Sequence, residues 1–191
     1  MTIFFASALY SSNNLILYTM QNLWSPWRSH YIQSVASSTE ADNDCFLCAA
    51  AELPSTPERD AELLVVARRK ECFVIMNRFP YNAGHIMVAP NRHCGELRLL
   101  TDDEVTNLFR TVREAEDVLH RILKPHGINV GINLGSAAGA GVPGHLHVHL
   151  VPRWNGDVNF MPVLAEVKVI SERLEETYVK LHAAFSSDNS R

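Results

Sequence analysis

The chain has 191 residues, 47% of them hydrophobic and 20% charged, with a formal net charge of −4 and a pI near 6.1. That length and balance fit one soluble globular domain with a sizeable core. They argue against broad electrostatic binding of nucleic acid, which needs a basic surface, and leave room for a small phosphorylated ligand held by a few local donors. No apolar run reaches the length of a membrane span.

In chain order, no charged side chain occurs before Arg28. Residues 1–19 are mildly apolar and rich in Ser and Asn, without the basic start or clean apolar core of a signal peptide. They are expected to be disordered or a misassigned extension with Met20 as the true start, followed by a folded domain over 20–185 and a tail at 186–191. Ser34 to Thr39 and Leu53 to Arg59 are polar connections, and between them lies the pair Cys45-x-x-Cys48. Cys72 and Cys94 are single. This cysteine usage reads as cytoplasmic, with the pair metal-binding or redox-active rather than a structural disulfide.

Leu63 to Ala67 and Cys72 to Met76 read as strands joined by a charged turn. Phe79 to Gly84 is a second turn, and His85 to Ala89 the next strand. Thr101 with Glu104 forms a capping box. From there Val105, Leu108, Val112, Ala115, Leu119 and Ile122 keep helical spacing up to Lys124-Pro125. Ile128 to Leu134 and His145 to Val151 are two more strands. Ser171 caps a last helix in which Leu174, Tyr178, Leu181 and Phe185 share a face. Strands, helix, strands, helix predict an α+β domain: an antiparallel sheet with a main helix and a C-terminal helix on one face.

The richest stretch is His145-Leu146-His147-Val148-His149-Leu150. On a strand, side chains alternate faces, so the three histidines point one way, about 6–7 Å apart, and the aliphatic residues point the other way into a core. Imidazole near neutral pH is base, nucleophile or metal ligand. A metal site and nucleophilic catalysis are both open on that pattern. Directly upstream, Asn133 to Gly144 is a loop of small residues whose backbone N–H groups can close around an anion. A phosphate-cradling loop running into a row of histidines points to phosphorus as the electrophile.

His-x-His-x-His followed by two apolar residues resembles the signature of the histidine triad family of nucleotide hydrolases and transferases. Asn77-Arg78-Phe79-Pro80-Tyr81-Asn82-Ala83-Gly84-His85 followed by Ile86-Met87-Val88-Ala89-Pro90 looks like that family's second and third core strands and their turn. Pro152-Arg153-Trp154-Asn155-Gly156-Asp157-Val158-Asn159-Phe160 resembles a bacterial branch related to diadenosine tetraphosphate phosphorylases. The likeness runs from about Leu23 to Leu181.

The resemblance implies a histidine-triad sheet extended across a homodimer. It also implies cleavage of a diadenosine tetraphosphate-like substrate through a covalent intermediate on the middle histidine, His147. His149 would hydrogen-bond a phosphate oxygen or the leaving group. Asn77 would bind ribose, and Asn133, Gly141 and nearby N–H groups would stabilise phosphoryl charge. The family's usual glutamine in the loop is replaced by Gly139-Ala140-Gly141.

Arg153 and Trp154 either meet polyphosphate and base or belong to a packed corner, and Trp24, Trp27 and Arg28 have the same standing. Ser136 or Arg153 could serve a second anion site for inorganic phosphate. Relatives with a C-x-x-C hold zinc, which implies a structural zinc on Cys45, Cys48, His93 and His145. The alternative is a metal-free or redox dithiol. Rival activities are phosphoramidate hydrolysis and nucleotide binding with little turnover. Neither a nucleic-acid nor a membrane partner is expected.

Overall fold

The computed structural model describes residues 8–11, 14–17, 45–52, 54–157 and 172–188. The chain divides into two compact units, Met1–Ser37 and Ser38–Arg191. In the first, β1 (Ala8–Ser11) and β2 (Asn14–Leu17) pair antiparallel with Ala8 opposite Leu17. The expectations for Met20, Trp24, Trp27, Arg28, Ser34 to Thr39 and Ser171 lie outside the described residues.

The second unit is built on a five-stranded antiparallel sheet. Its strands are β3 (Val65–Arg68), β4 (Cys72–Met76), β5 (Ile86–Pro90), β6 (Gly127–Ile132) and β7 (Val148–Arg153), in the order β3-β4-β5-β7-β6. β4 and β5 are buried along their whole length, as befits strands covered on both faces.

One face carries Val66, Val74, Met76, Ile86, Val88, Leu146, Val148 and Leu150 against α3 (Asp102–Leu123) and α4 (Leu174–Asp188). The helical spacing read from sequence is the packing surface: Leu108, Val112, Ala115 and Leu119 of α3 and Leu181 and Phe185 of α4 are buried in that layer. Truncating one such leucine to alanine costs about 2–5 kcal/mol. α3 starts with the predicted capping box: the Thr101 hydroxyl accepts from the Glu104 N–H, and the Glu104 carboxylate accepts from the Thr101 N–H.

The other face has its own layer. Val65, Phe73, Ile75, Met87 and Ala89 pack against Leu47 and Ala50 of the short α1 (Phe46–Ala51). The helices therefore do not all lie on one face. α1 covers the side on which the triad histidines project.

Two further boundaries differ from expectation. The segment read as a polar connection continuing into a strand at Leu63 is the helix α2 (Pro57–Leu63). Thr56 caps it by accepting from the Arg59 N–H, Pro57 opens it, and Leu64 ends it with a left-handed φ of 63°. α2 buries none of its residues, so it leaves no periodic apolar signal. The last strand starts at Val148 rather than His145. Its pairing with β5 and with β6 stops at Val148, and the Leu146 N–H donates instead to the Cys94 carbonyl at 2.7 Å.

Candidate active site and metal cluster

The alternation of faces survives through the irregular approach to β7. Leu146, Val148 and Leu150 enter the helix-covered core, while His147 and His149 take the opposite face, with His147 only 5% exposed. His149 is held in register opposite Met87 of β5 and Gly131 of β6. A Cβ at Gly131 would meet nothing within 4 Å, so the sheet is open beside His149.

Backbone groups set the proton positions. His147 Nδ1 lies 2.8 Å from the His145 carbonyl oxygen. That oxygen can only accept, so Nδ1 carries the proton and Nε2 presents a bare lone pair. Burial pushes the His147 pKa down, and the carbonyl bond opposes it less strongly. The ring is held neutral.

His149 carries the other tautomer. The Tyr81 N–H donates to His85 Nδ1 at 3.0 Å, which places the His85 proton on Nε2. His85 Nε2 then donates to His149 Nδ1 at 3.0 Å, leaving the His149 proton on Nε2. Burial, reinforced by the neighbouring His147, pushes the His149 pKa down to about 4. The His147 and His149 rings meet edge to face at 4.8 Å. Tyr81 stacks on His85 at 4.9 Å with 21° between the planes.

His85, which bonds His149, is the residue of this cluster that sequence reasoning passed over, treating it as the first residue of a strand. The available signal was its position: a histidine closing the Phe79 to Gly84 turn at the start of the strand that pairs with β7. Gly84 makes that turn possible, with φ of +72° and Leu123 Cδ1 standing 2.2 Å from where a Cβ would be.

The expected substrate-binding residues are placed as follows. The Asn77 carboxamide oxygen accepts from the Phe79 N–H at 2.9 Å, and the Asn77 N–H donates to the His85 carbonyl, so Asn77 closes the base of the His85 turn. Asn133 donates to the Gly139 carbonyl at 3.2 Å and ties off the glycine loop. Within that loop Ser136 begins a single 3-10 turn, and the N–H groups of Ala138, Gly139 and Ala140 bond back to Gly135 and Ser136 carbonyls. Gly141 is half-buried beside Val142, whose carbonyl accepts from the His145 N–H.

Arg153 is engaged on three sides. Nε and Nη2 fork onto the Asp157 carboxylate at 2.7 and 2.9 Å, and Nη1 donates to Asn129. The Arg153 fork first, then bonds from the Trp154 N–H and the Asn82 amide, hold the Asp157 carboxyl well below the usual carboxylate range.

The first triad histidine faces elsewhere. His145 is fully buried, and its Nε2 donates to the Pro90 carbonyl at 2.9 Å. Its Nδ1 lone pair is thereby aimed at two thiols, Cys45 Sγ and Cys48 Sγ, each 3.4 Å away. His93 Nδ1 lies 3.0 Å from Cys48 Sγ. The four donor atoms all fall within 4.8 Å of one another.

A tetrahedral zinc with ordinary bond lengths separates its S and N ligands by about 3.6 Å. The donor set, its spacing and the carbonyl that fixes the His145 tautomer fit such an ion. Three segments converge to build it: α1 with Cys45 at its N-cap, the loop after β5, and the approach to β7. The last two are zipped together at Gly95, where a Cβ would fall 2.2 Å from the Pro143 carbonyl oxygen.

Residues 58–156 match the HIT domain family. A relative from Mycobacterium tuberculosis named AP-4-A phosphorylase is 41% identical over 159 residues, spanning 83% of this chain and 80% of its own. An asymmetrical bis(5'-nucleosyl)-tetraphosphatase from Schizosaccharomyces pombe is 32% identical over 127 residues, 66% of each chain. The solved structure of a Zn-bound histidine triad family protein from Mycobacterium smegmatis shares the fold, with a TM-score of 0.58 at 24% identity over 77% of this chain and 96% of that one.

Proposed function

Because the chain belongs to the HIT domain family, we propose that it cleaves dinucleoside polyphosphates through a nucleotidyl-His147 intermediate. It is an enzyme of that family, and its relatives at 41% and 32% identity are named for cleaving such substrates. The observation that carries the mechanism is the pair of opposed tautomers: a lone pair on His147 Nε2 and a proton on His149 Nε2.

His147 Nε2 forms a bond to the α-phosphorus as the bond to the departing nucleotide's oxygen breaks. The His149 Nε2–H meets the negative charge that gathers on that side. The departing polyphosphate carries its own charge, so His149 keeps its proton. The His147 ring becomes cationic, and its Nδ1–H bond to the His145 carbonyl strengthens. A second acceptor then displaces neutral His147. The name of the 41% identical relative supports inorganic phosphate as that acceptor, which turns diadenosine tetraphosphate into ATP plus ADP.

Asn77, Asn133 and Gly141 border the nucleotide in this reading. For Arg153 and Trp154, their bonds to Asp157 favour the packed corner. Cys45, Cys48, His93 and His145 would hold a structural zinc, whose chemistry there is to cross-link three segments. A homodimer joined along the sheet belongs to the same reading. Among the described residues β6 is an edge strand, and its Val130 is half exposed. A cytoplasmic location is supported by four described cysteines that form no disulfide. No described helix is long and apolar enough to cross a membrane.

The test is direct. With diadenosine tetraphosphate, a sample quenched in denaturant at alkaline pH, where a phosphoryl–imidazole bond survives, should contain a phosphoramidate adduct on the peptide carrying His147, and phosphate should speed its loss to ADP. His147→Gly should bind substrate yet lose turnover by about 10⁴-fold or more. Full activity in that variant overturns the mechanism, and products of ATP plus AMP at a phosphate-independent rate overturn the choice of acceptor.

A further inference from the structure

We propose that Cys45 and Cys48 form a thiol switch on the nucleophile, resting on the reading of His147 and of the metal cluster given above. One residue joins the two sites. The His145 side chain faces both thiols at 3.4 Å, and its own backbone carbonyl, 2.8 Å from His147 Nδ1, selects the tautomer that leaves His147 Nε2 free. What holds the His145 ring therefore holds the carbonyl that arms His147.

The two ends of this linkage differ in exposure. His145 and His147 are buried, whereas Cys45 and Cys48 are half-buried and His93 is exposed. Cys45 and Cys48 are separated by two residues, with sulfurs within 4.8 Å of each other. Neither cysteine is buried, so peroxide in solvent can reach the pair. Cys72 and Cys94 are buried, and each donates its thiol to an oxygen of its own surroundings.

The chemistry balances with hydrogen peroxide as the oxidant. The two thiolates give up two electrons, a sulfur–sulfur bond forms, and the O–O bond breaks. Two protons from solvent convert the resulting hydroxides to two waters. A disulfide sulfur is a poor ligand for a divalent cation, so the ion leaves with its charge. His145 then loses the ion at Nδ1 and keeps only the Pro90 carbonyl at Nε2 to fix its ring, so its own carbonyl is free to drift from His147 Nδ1. Reduction by a dithiol, followed by metal, reverses each change.

The experiment uses the full-length chain, purified without an affinity tag and loaded with zinc, and treats it with stoichiometric hydrogen peroxide. A chromophoric chelator follows zinc release, peptide mass analysis locates the disulfide, and ¹⁵N correlation spectra of the imidazoles report the His147 tautomer. Expected are release of zinc, a Cys45–Cys48 disulfide, loss of the single Nδ1–H form of His147, and a fall of about 10-fold to 100-fold in kcat with KM little changed. Dithiothreitol plus zinc should restore all four. Cys48→Ser should lose the response to peroxide, and Cys72→Ala should keep it.

A disulfide that forms while the tautomer and kcat stay unchanged overturns the switch, as does a pair that stays reduced while another cysteine is oxidised. If the untreated protein forms no nucleotidyl-His147, the enzymatic reading fails instead. The zinc and tautomer measurements still decide the linkage.

Discussion

His147 donates its Nδ1 proton to the backbone carbonyl of His145, two residues earlier in the chain and 2.8 Å away. Only Leu146 separates the two histidines in sequence, yet their rings face different surroundings. His145 is turned toward thiols, and His147 toward the open face of the sheet beside His149. The His145 carbonyl joins the thiol-facing residue to the His147 ring. His149 obtains the opposite tautomer from a separate source, the Tyr81 N–H acting through His85.

That second source makes His85 a positioning residue with a testable signature. His85→Ala removes the donor to His149 Nδ1 and frees His149 to place its proton on either nitrogen. The expected result is a fall in kcat of about 10-fold to 100-fold with little change in substrate affinity. His85→Gln sets an amide N–H near the lost Nε2–H and should recover part of the rate. ¹⁵N spectra should show His149 as a single Nε2–H tautomer in the native protein and as a mixture in His85→Ala. An unchanged His149 spectrum in that variant would refute the relay.

The pH dependence follows from burial. Protonating His147 occupies Nε2 and stops the attack, so the acid limb of kcat/KM reports the imidazoles of the free enzyme. Burial disfavours the cation and moves both His147 and His149 downward, His149 to about 4. Activity should therefore persist as the pH falls through the ordinary imidazole value of about 6.5 and fail well below it. A dinucleoside polyphosphate has no terminal phosphate to titrate in that range, so single-turnover adenylation measured from pH 4 to 8, with zinc content followed in parallel, isolates the enzyme's own groups. A limb at or above 6.5 would contradict the assignment.

Some of this was legible in the sequence and some was not, for identifiable reasons. The division of His147 and His149 from Leu146, Val148 and Leu150 is written in a period of two, because strand faces alternate. α3 is written in its capping box and in Leu108, Val112, Ala115 and Leu119. α2 is not, because its stability comes from Thr56 and Pro57 at its start rather than from a buried face.

The tautomers could not be read at all. They depend on the Tyr81 N–H and the His145 carbonyl, main-chain groups that every residue has. Spacing alone exposed Cys45 and Cys48. His93 and His145 came from the family resemblance, since only the closing of the sheet brings them to the thiols. The fate of Arg153 turned on Asp157 four residues later, a partner the sequence contains but does not single out.

Gly95 tests how closely the cluster must be drawn together. An added Cβ would lie 2.2 Å from the Pro143 carbonyl oxygen and 3.1 Å from Gly144 backbone atoms, so main chain must move to admit it. That movement would separate the loop bearing His93 from the approach to His145. Gly95→Ala should destabilise the protein by about 1–3 kcal/mol and weaken zinc retention against a competing chelator. Gly127, where a Cβ meets nothing within 4 Å, supplies the control, and Gly127→Ala should match the native protein in both assays. Equal zinc retention in Gly95→Ala and Gly127→Ala would show that the close approach is not needed.

Glu104 ties the start of α3 to the loop that carries His93. Arg92, next to His93, forks onto its carboxylate at 2.8 and 2.7 Å, and the Thr101 N–H adds a third bond. The Arg92 bonds first, then the Thr101 N–H, hold the Glu104 pKa down to about 2. A carboxyl depressed on folding stabilises the native state above its unfolded pKa, and that contribution disappears as the pH drops through the folded value. The stability difference between the native protein and Glu104→Gln should thus be constant above about pH 5, shrink from about pH 4.5 downward and vanish near pH 2. Urea denaturation with chelator present in every sample checks this without interference from ligand protonation at the cysteines and histidines. A difference that stays constant down to pH 3 would mean that the Arg92 fork adds nothing to folding, leaving the neutral capping interaction with Thr101 as Glu104's whole contribution.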